Sequence, residues 1–250
     1  MSDSIVLIPT YNEKENIAAM VEKVFSLAKE FHLLVIDDNS PDGTAGIVKQ
    51  LIAEKYESKL FLEERQGKLG LGTAYIHGFK WALARQYEYI FEMDADFSHN
   101  PDDLMRLYHT CAHQNADIAI GSRYVKGGSV ANWPLDRILL SWFASLYVRL
   151  ITWMPVYDTT AGFVCYRRKV LETLNLSKIR SIGYGFQIEM KFASWKLGFK
   201  LKEIPITFAD RMYGVSKMSS SIFKEAALGV IKMKWQSFFK NYAQLQNGSG

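Results

Sequence analysis

Two aspartates one residue apart are the side chains in this sequence best suited to metal chemistry. Asp94 and Asp96 follow residues 89–93, an apolar and aromatic run that predicts a buried strand. Alternate side chains of an extended segment share a face, so both carboxylates would lie together at the end of the strand. Open α/β sheets bind ligands at that end, and Mg²⁺ or Mn²⁺ takes carboxylate oxygens together with substrate phosphates. The pair indicates a metal-assisted nucleoside diphosphate site, although such triplets are also common in ordinary loops after strands.

Two further predicted strands end in polar clusters. The strand at residues 5–8 is followed by Pro9, Tyr11 and Glu13, and the strand at residues 33–36 is followed by Asp38. In a parallel sheet the carboxyl ends of these strands meet at one edge, so the three clusters would converge. Tyr11 would cover a base or ribose, and either acid would accept hydrogen bonds from base N–H groups or sugar hydroxyls. Together the clusters predict a nucleotide pocket.

The elements that must position these residues alternate between strand and helix along the first half of the chain. Apolar runs predict strands at residues 5–8, 33–36, 60–62, 89–93 and 117–121. Helical periodicity predicts helices between them at residues 13–29, 44–56, 73–85 and 101–115. This order is typical of βαβ units, and it predicts the α/β class with a Rossmann-like, mainly parallel sheet flanked by helices.

The second half is less regular. Residues 138–156 predict an amphipathic helix that either packs in the core or contacts a membrane, because Arg149 interrupts its apolar run. A last helix at residues 222–239 mixes lysines with aromatic residues and leaves the same two readings open. Between these helices the sequence predicts a strand at 163–166, a helix at 186–197 and a strand at 201–208, whose Pro205 suggests a sheet edge.

Composition bounds the function further. The chain has 250 residues, of which 48% are hydrophobic and 22% charged, and its net charge is +4. These values fit a globular protein with an anionic substrate or an acidic membrane surface, and the charge is too weak to argue for nucleic acid. Two distant cysteines and the absence of a secretory leader pattern predict a reducing, cytoplasmic setting. We expect a single domain over residues 1–240 and a flexible tail over residues 241–250.

Seven blocks of the sequence resemble the inverting glycosyltransferases of family 2, which have the GT-A fold. They are PTYNE (9–13), DDNSPDGT (37–44), GLGTAY (70–75), MDADFSH (93–99), GSRY (121–124), GYGFQIEM (183–190) and DRMYGVSKM (210–218). The resemblance covers nearly the whole chain up to the last helix. The first block is shared by many family 2 enzymes, whereas the last two are similar to the branch that transfers mannose to dolichyl or other polyprenyl phosphates.

The resemblance implies a role for each matching position. The implied contacts to the nucleoside are Pro9, Tyr11, Glu13, Ile36 and Asp38. The resemblance also implies that Asp94, Ala95 and Asp96 hold the diphosphate, with Mg²⁺ or Mn²⁺ bound by the two aspartates. The cations implied to meet phosphate charge or to shape the substrate sites are Arg123, Arg211 and Lys217. Gln187 either contacts sugar or acceptor or caps a helix, and Arg137 either binds acceptor phosphate or forms a structural ion pair.

The implied reaction moves mannose from GDP-mannose to a polyprenyl or dolichyl monophosphate with inversion. Some relatives append membrane-spanning helices that this sequence lacks, which implies peripheral contact at the cytoplasmic face of a membrane or recruitment of a membrane-spanning partner protein. Transfer from UDP-glucose or another sugar nucleotide stays open, because one sequence does not reveal the base specificity. Two alternatives from other classes are a sugar-phosphate nucleotidyltransferase and a non-catalytic binding module.

Overall fold

The computed structural model of the chain describes residues 2–181, 183–210 and 220–243. The strands are β1 (Ser4–Thr10), β2 (His32–Asp37), β3 (Leu60–Glu64), β4 (Tyr89–Glu92), β5 (Ile118–Ser122), β6 (Ser129–Val130), β7 (Val164–Arg167), β8 (Leu201–Pro205) and β9 (Thr207–Phe208). The helices are α1 (Ile17–Phe25), α2 (Thr44–Leu51), α3 (Leu71–Ala84), α4 (Asp103–His113), α5 (Leu135–Thr152), α6 (Arg168–Thr173), α7 (Tyr184–Lys196) and α8 (Ser220–Gln236).

Seven of the strands form one sheet in the order β3-β2-β1-β4-β7-β5-β8. Neighbouring strands run parallel except β7, which lies antiparallel between β4 and β5. The mainly parallel sheet expected from the sequence is therefore confirmed. Pro205 ends β8, an edge strand, where its missing N–H removes no ladder hydrogen bond. The short strands β6 and β9 pair separately beside this edge.

The core has two layers because alternate residues of the central strand point to opposite faces of the sheet. Ile5 and Leu7 pack into one layer, under α3, α6 and α7, and Val6 and Ile8 pack into the other, under α1, α2 and α4. All four side chains are fully buried. Strands buried on both faces read as continuous apolar runs, which is why the sequence located them well.

Helix α3 approaches the sheet closely through a glycine. A Cβ atom on Gly78 would lie 2.7 Å from Cδ1 of Ile36 and 2.9 Å from Cδ1 of Leu7. Contacts this short do not occur between real side chains, so an alanine here would force the ends of these two buried side chains to move. The close contact sets the height of α3, whose first turn borders the site described below.

The second half departs from the sequence-based expectation at several places. Helix α5 ends at Thr152 because Trp153 adopts a left-handed conformation with φ of 63°, so the helix expected to reach residue 156 stops earlier. Helix α6 directly follows β7 and was not predicted. Tyr242 is buried and Ala243 pairs with Leu174, so packed structure continues beyond the expected domain boundary at residue 240.

Two of the remaining expectations concern helices at the protein surface. No helix among the described residues combines the length and the apolar character needed to cross a bilayer. Helix α8 covers most of the region where the sequence predicts an amphipathic helix.

Arg211 and Lys217, two cations implied by the resemblance, lie outside the described residues.

Candidate active site

The carboxyl ends of two adjacent strands, β1 and β4, border one cavity of about 410 Å³. Strand β1 lies between β2 and β4, and its end carries Pro9, while β4 leads directly into Asp94. Eight of the sequence-predicted site residues line this cavity. They are Pro9, Tyr11, Glu13, Asp94, Ala95, Asp96, Arg123 and Gln187. The expected convergence therefore occurs for the ends of β1 and β4, and segments after β5 and at the start of α7 complete the wall.

The turn after β4 fixes the two aspartates differently. The Oδ1 atom of Asp96 accepts hydrogen bonds from the hydroxyl of Ser98 (2.6 Å) and from its backbone N–H (3.1 Å). Phe97 between them adopts φ of 60°, which closes the turn. Asp96 is buried, whereas the side chain of Asp94 is 39% exposed. One carboxylate is thus held rigidly in the wall and the other faces the cavity.

His99 supports this turn from below. Its Nδ1 atom accepts a hydrogen bond from the backbone N–H of Asp94 at 3.2 Å, and its ring stacks on Phe163 with centroids 4.8 Å apart. Burial lowers the pKa of His99 to about 4, against the opposing influence of Asp96. A neutral ring that accepts through Nδ1 carries its proton on Nε2. His99 therefore positions the backbone of Asp94 as an uncharged acceptor.

Arg123 is held in the cavity wall by a carboxylate that the sequence analysis missed. Its Nε and one Nη donate to the two oxygens of Asp158 at 2.7 and 2.6 Å, and the same Nη donates to Thr160 at 2.9 Å. The backbone N–H of Arg123 also reaches Asp158 at 2.9 Å. Both side chains are buried, at 8% and 0% exposure. A forked pair of this kind fixes the guanidinium plane as well as its position.

Asp158 is anchored in turn to the edge of the sheet. Glu203 on β8 accepts the backbone N–H groups of Asp158 (2.8 Å) and Tyr157 (2.7 Å). The only sequence signal for this anchor was the polar run at residues 158–160 before β7. That run matches no recognisable motif. The three residues that meet here, Arg123, Asp158 and Glu203, come from distant parts of the chain, so their contact leaves no pattern in the sequence.

Gln187 on α7 is held by a buried acid and a buried base. Its Nε2 donates to Oε2 of Glu92 at 2.8 Å, and its Oε1 accepts from Nζ of Lys191 at 3.3 Å. Lys191 also donates to the carbonyl of Ala161 at 2.6 Å. Burial raises the pKa of Glu92 and lowers the pKa of Lys191, with each group partly offsetting the shift of the other. The Gln187 amide is therefore fixed in orientation where it borders the cavity.

Two of the residues implied to bind the nucleoside do not line the cavity. Ile36 is fully buried beneath α3. Asp38 is also buried, and its Oδ1 accepts a hydrogen bond from Nε of Arg65 at 2.5 Å. Arg65 reaches Thr73 at 2.8 Å through Nη1, so it ties the end of β2 to the first turn of α3. Both residues shape the structure behind the cavity.

The glycine-rich segment at residues 67–72 borders the same end of the sheet. Nζ of Lys68 lies 4.7 Å from the ring centroid of Tyr11, and Leu71 lines the cavity. Gly70, with φ of 96°, precedes the first residue of α3. A cation over the face of an aromatic ring is a favourable contact. This contact brings the glycine-rich loop next to Tyr11, one of the residues expected to contact the nucleoside.

Arg137 brings a further cation to the opposite side of the cavity. Its guanidinium carbon lies 3.8 Å from the ring centroid of Trp133, and its Nη1 forms an ion pair with Asp210 at 3.2 Å. All three residues line the cavity. The structural ion pair, one of the two roles weighed for Arg137, is present. Trp133 had no sequence signal because isolated aromatic residues are more often core.

The donor set suits a divalent ion that completes its coordination with substrate oxygens. Asp94 and Asp96 place two hard carboxylates in one open cavity, as Mg²⁺ or Mn²⁺ requires when a diphosphate supplies further ligands. Within the described part of the chain, no group of three or more His, Cys, Asp or Glu side chains is arranged to hold a metal ion. The residues present therefore fit a metal shared between protein and substrate.

The mainly parallel sheet, with the aspartate pair at the end of a central strand, has the GT-A glycosyltransferase fold. Residues 5–174 match the sequence model described as "Glycosyl transferase family 2". The chain therefore belongs to glycosyl transferase family 2, as the sequence motifs predicted.

Two curated relatives resemble this chain over most of its length. A polyprenol monophosphomannose synthase of Mycolicibacterium smegmatis is 46% identical over 227 residues, which cover 91% of this chain and 85% of the relative. An undecaprenyl-phosphate mannosyltransferase of Micrococcus luteus is 43% identical over 228 residues, which cover 91% of this chain and 92% of the relative.

Solved structures share the fold at much lower sequence identity. Glucosyl-3-phosphoglycerate synthase of Mycobacterium tuberculosis, crystallised with UDP, superimposes with a TM-score of 0.65 at 16% identity over 93% of this chain and 80% of that chain. A mannosyltransferase of Pyrobaculum calidifontis in complex with GDP-Man and Mn²⁺ gives a TM-score of 0.62 at 17% identity over 97% of this chain and 66% of that chain.

Proposed function

We propose that this glycosyltransferase moves mannose from GDP-mannose to a polyprenyl monophosphate, and that it inverts the sugar's anomeric centre. The proposal rests on one observation, which is that the aspartate pair and the polar end of β1 line the same cavity. The names of the two relatives at 46% and 43% identity support the mannosyl and polyprenyl phosphate parts. Family membership removes the nucleotidyltransferase and the non-catalytic module from consideration.

The proposed donor site runs from the end of β1 to the turn after β4. Tyr11 and Glu13 would contact the nucleoside, and the turn of Asp94 and Asp96 would hold the diphosphate through Mg²⁺ or Mn²⁺. When bound, such an ion supplies positive charge where the leaving diphosphate becomes more negative. The hydrogen bonds of Ser98 hold the carboxylate of Asp96, and the hydrogen bond from the backbone N–H of Asp94 to His99 holds the backbone that carries the other carboxylate.

The acceptor chemistry needs little proton transfer. A lipid monophosphate is already ionised near neutral pH, so its oxygen attacks without a strong general base. Attack on the side opposite the leaving group converts an α-linked donor into a β-mannosyl phosphate. Arg137, beside the cavity, is the described cation that we assign to the acceptor phosphate, and Arg211 and Lys217 keep their proposed phosphate contacts on the strength of the sequence motif alone.

Arg123 and Gln187 would act mainly by position. The Asp158 fork neutralises the charge of Arg123, so its contribution to a phosphate is weaker than that of an unpaired cation. Its fixed plane would still orient this part of the cavity wall. Gln187 is similarly fixed by Glu92 and Lys191, and it would offer a directed hydrogen bond to sugar or acceptor.

We also propose that the protein works as a peripheral enzyme at the cytoplasmic face of a membrane. Helices α5 and α8 pack together and leave large apolar side chains exposed, including Phe143, Trp153, Trp235 and Phe239. Lys234 donates to the carbonyl of Thr152 at 3.2 Å and so joins the two helices. Basic and aromatic residues on one face are typical of a membrane-surface helix. Both cysteines are free thiols, which suits a reducing compartment.

Two smaller proposals complete this assignment. We propose residues 1–240 as one catalytic domain, and the buried side chain of Tyr242 supports an end a few residues later. A membrane-spanning partner protein is a further candidate for attachment. Its involvement predicts that purified enzyme alone binds vesicles weakly even when they contain the acceptor.

A donor assay tests the reaction. Purified enzyme is incubated with Mg²⁺, a polyprenyl phosphate in detergent, and either GDP-[¹⁴C]mannose or UDP-[¹⁴C]glucose, and label is counted in the organic phase. We expect label only from GDP-mannose, and its release by mild acid as free mannose. Label from UDP-glucose alone would replace the mannose assignment with the alternative donor. No label from either donor would overturn the proposed reaction.

A further inference from the structure

A second cavity lies on the helical side of the molecule and shares no described lining residue with the catalytic one. It is a groove of about 660 Å³ between the segment before α7, helix α7 itself and helix α8. Four cations line it. They are Lys178, Arg180, Lys232 and Lys240. Ser181 borders this groove and Gly183 borders the catalytic cavity, so the two cavities are neighbours along the chain.

A buried carboxylate builds the groove. Glu189 on α7 is 3% exposed, and its Oε2 accepts the backbone N–H groups of Arg180 (3.1 Å) and Ser181 (3.0 Å). Its Oε1 accepts a hydrogen bond from Nζ of Lys240 at 2.6 Å. One acid therefore ties together the preceding segment, α7 and the chain just after α8. The negative charge of Glu189 is balanced by Lys240 within the wall of the groove.

The remaining cations give the groove a net positive charge. Lys178 donates to the carbonyl of Asn241 at 3.0 Å, and no acid within the described ranges pairs with it. Arg180 and Lys232 are both exposed, and neither pairs with an acid among the described residues. Three such cations around one space attract a phosphate group, which carries the oxygen acceptors that they need.

The groove also has an apolar rim. Trp235 and Phe239 line it and are 65% and 80% exposed. Their rings are 5.5 Å apart and continue the exposed apolar face of α8. A free phosphate ion would gain nothing from such a rim, whereas a lipid brings acyl chains next to its phosphate. The combination of cations inside and aromatic residues outside matches an amphiphile with an anionic head.

We propose that this groove binds the headgroup phosphate of an anionic phospholipid in the bilayer, as a site separate from the catalytic cavity. The inference rests on the membrane attachment proposed above and adds to it a defined lipid site. Occupation of the groove places α8 at the membrane surface with its aromatic residues in the acyl region. The neighbouring catalytic cavity is then held near the plane in which a polyprenyl phosphate presents its own head.

Vesicle flotation tests the site with a charge-matched pair of variants. The groove variant is Arg180→Gln with Lys232→Gln. The control is Lys49→Gln with Lys55→Gln, two exposed lysines on and just after α2, which packs on the opposite face of the sheet. Both variants lose two positive charges. Binding is measured to vesicles of phosphatidylcholine alone and to vesicles in which a fifth of the lipid is phosphatidylglycerol.

We expect phosphatidylglycerol to strengthen binding of the unmodified protein, and the groove variant to lose about 30-fold of its affinity for those vesicles. The control variant should lose less than about twofold. Equal losses in both variants would overturn the inference, because a diffuse field would then explain the binding. Inorganic phosphate should displace the protein no more than chloride of equal ionic strength, and selective displacement by phosphate would identify a free-ion site instead.

Failure of the lipid site and failure of the proposed function give different results. With polyprenyl phosphate in detergent, the groove variant should keep its kcat, because neither substituted residue borders the catalytic cavity. With the acceptor in anionic vesicles, its KM for the acceptor should rise. An unchanged KM overturns the lipid site alone. Absent mannosyl transfer in the unmodified protein overturns the function, and absent binding to every vesicle overturns direct attachment to lipid together with the lipid site.

Discussion

The two cavities of this protein are built in opposite ways. The catalytic cavity lies at strand ends, and its charged wall residues are buried and paired, as Arg123 and Asp158 illustrate at 8% and 0% exposure. The basic groove lies on helix surfaces, where Arg180 and Trp235 are exposed and a single buried acid, Glu189, ties the walls together. Chemistry at a diphosphate needs fixed directions, whereas attraction to a membrane needs charge and apolar area. Substitutions should therefore have different consequences in the two places.

The largest effect should come from Asp96→Ala. Loss of this carboxylate removes half of the proposed metal-binding pair, and we expect kcat to fall by about 1000-fold or more. The hydrogen bonds from Ser98 are also lost, at a cost of about 1 kcal/mol in unfolding free energy. Radiolabel transfer from GDP-mannose and urea unfolding measure the two quantities separately.

Chelation provides the matched comparison for that variant. Addition of EDTA to the unmodified enzyme should abolish transfer, and Mn²⁺ or Mg²⁺ in excess should restore it. The Asp96→Ala variant should not recover under the same conditions. A variant that keeps its activity while folded would show that the aspartate pair does not carry the reaction.

Asp158→Ala should have the largest effect on stability. The substitution leaves the Arg123 guanidinium buried without its forked partner, which costs about 3–5 kcal/mol of unfolding free energy. Asp102→Ala is the control, because Asp102 pairs with Lys23 at the surface and such pairs contribute about 1 kcal/mol or less. Urea denaturation of both variants makes the comparison. Similar losses in the two would contradict the view that buried pairing holds the cavity wall.

Gly78→Ala should lower stability by a smaller amount. Its Cβ would meet Cδ1 of Ile36 at 2.7 Å, and overpacking of this kind costs about 1–3 kcal/mol. The better helix propensity of alanine in α3 offsets about 1 kcal/mol of this cost. Gly46→Ala on α2 is the control with the opposite sign, because no atom lies within 4 Å of its Cβ and alanine favours the helix by about 1 kcal/mol. Thermal unfolding distinguishes them. A neutral or stabilising Gly78→Ala would mean that α3 is not seated tightly against the sheet.

Trp235→Ala should have the smallest effect on the folded enzyme. The side chain is 65% exposed, so unfolding free energy should change by about 0.5 kcal/mol or less, and kcat in detergent should be unaltered. Affinity for anionic vesicles should fall by about tenfold as apolar contact with the bilayer is lost. The control is Leu69→Ala, another exposed apolar residue, located in the loop near Tyr11. Equal vesicle binding by both variants would contradict a membrane role for α8.

The sequence predicted the half of the site that is local in the chain. Ile5 and its neighbours in β1, and the run that ends in Asp94, are buried on both faces, so each strand and its polar end can be recognised from consecutive residues. Parallel order then brings those ends together without further information. This is why the sequence alone predicts that the aspartate pair, Tyr11 and Glu13 lie together, as they do around the cavity.

The other half depends on contacts between distant residues. Asp158 pairs with Arg123 across 35 positions, and Glu92 meets Gln187 across 95. Neither pairing leaves a periodic or spaced pattern in the sequence. Asp38 belongs to a motif that is legible in the sequence, yet only the structure shows that its carboxylate accepts a hydrogen bond from Arg65. Which polar residue faces the substrate is decided by packing.

In the proposed donor site, Asp94 and Asp96 hold the sugar diphosphate through a divalent ion. Crystals soaked with GDP and MnCl₂, with diffraction data collected at an energy where manganese scatters anomalously, test it directly. We predict an anomalous difference peak in contact with both carboxylates and with the diphosphate, and the nucleoside beside Tyr11 and Glu13. A manganese peak and a nucleotide located away from Asp94 and Asp96 would contradict this assignment of the metal and donor site.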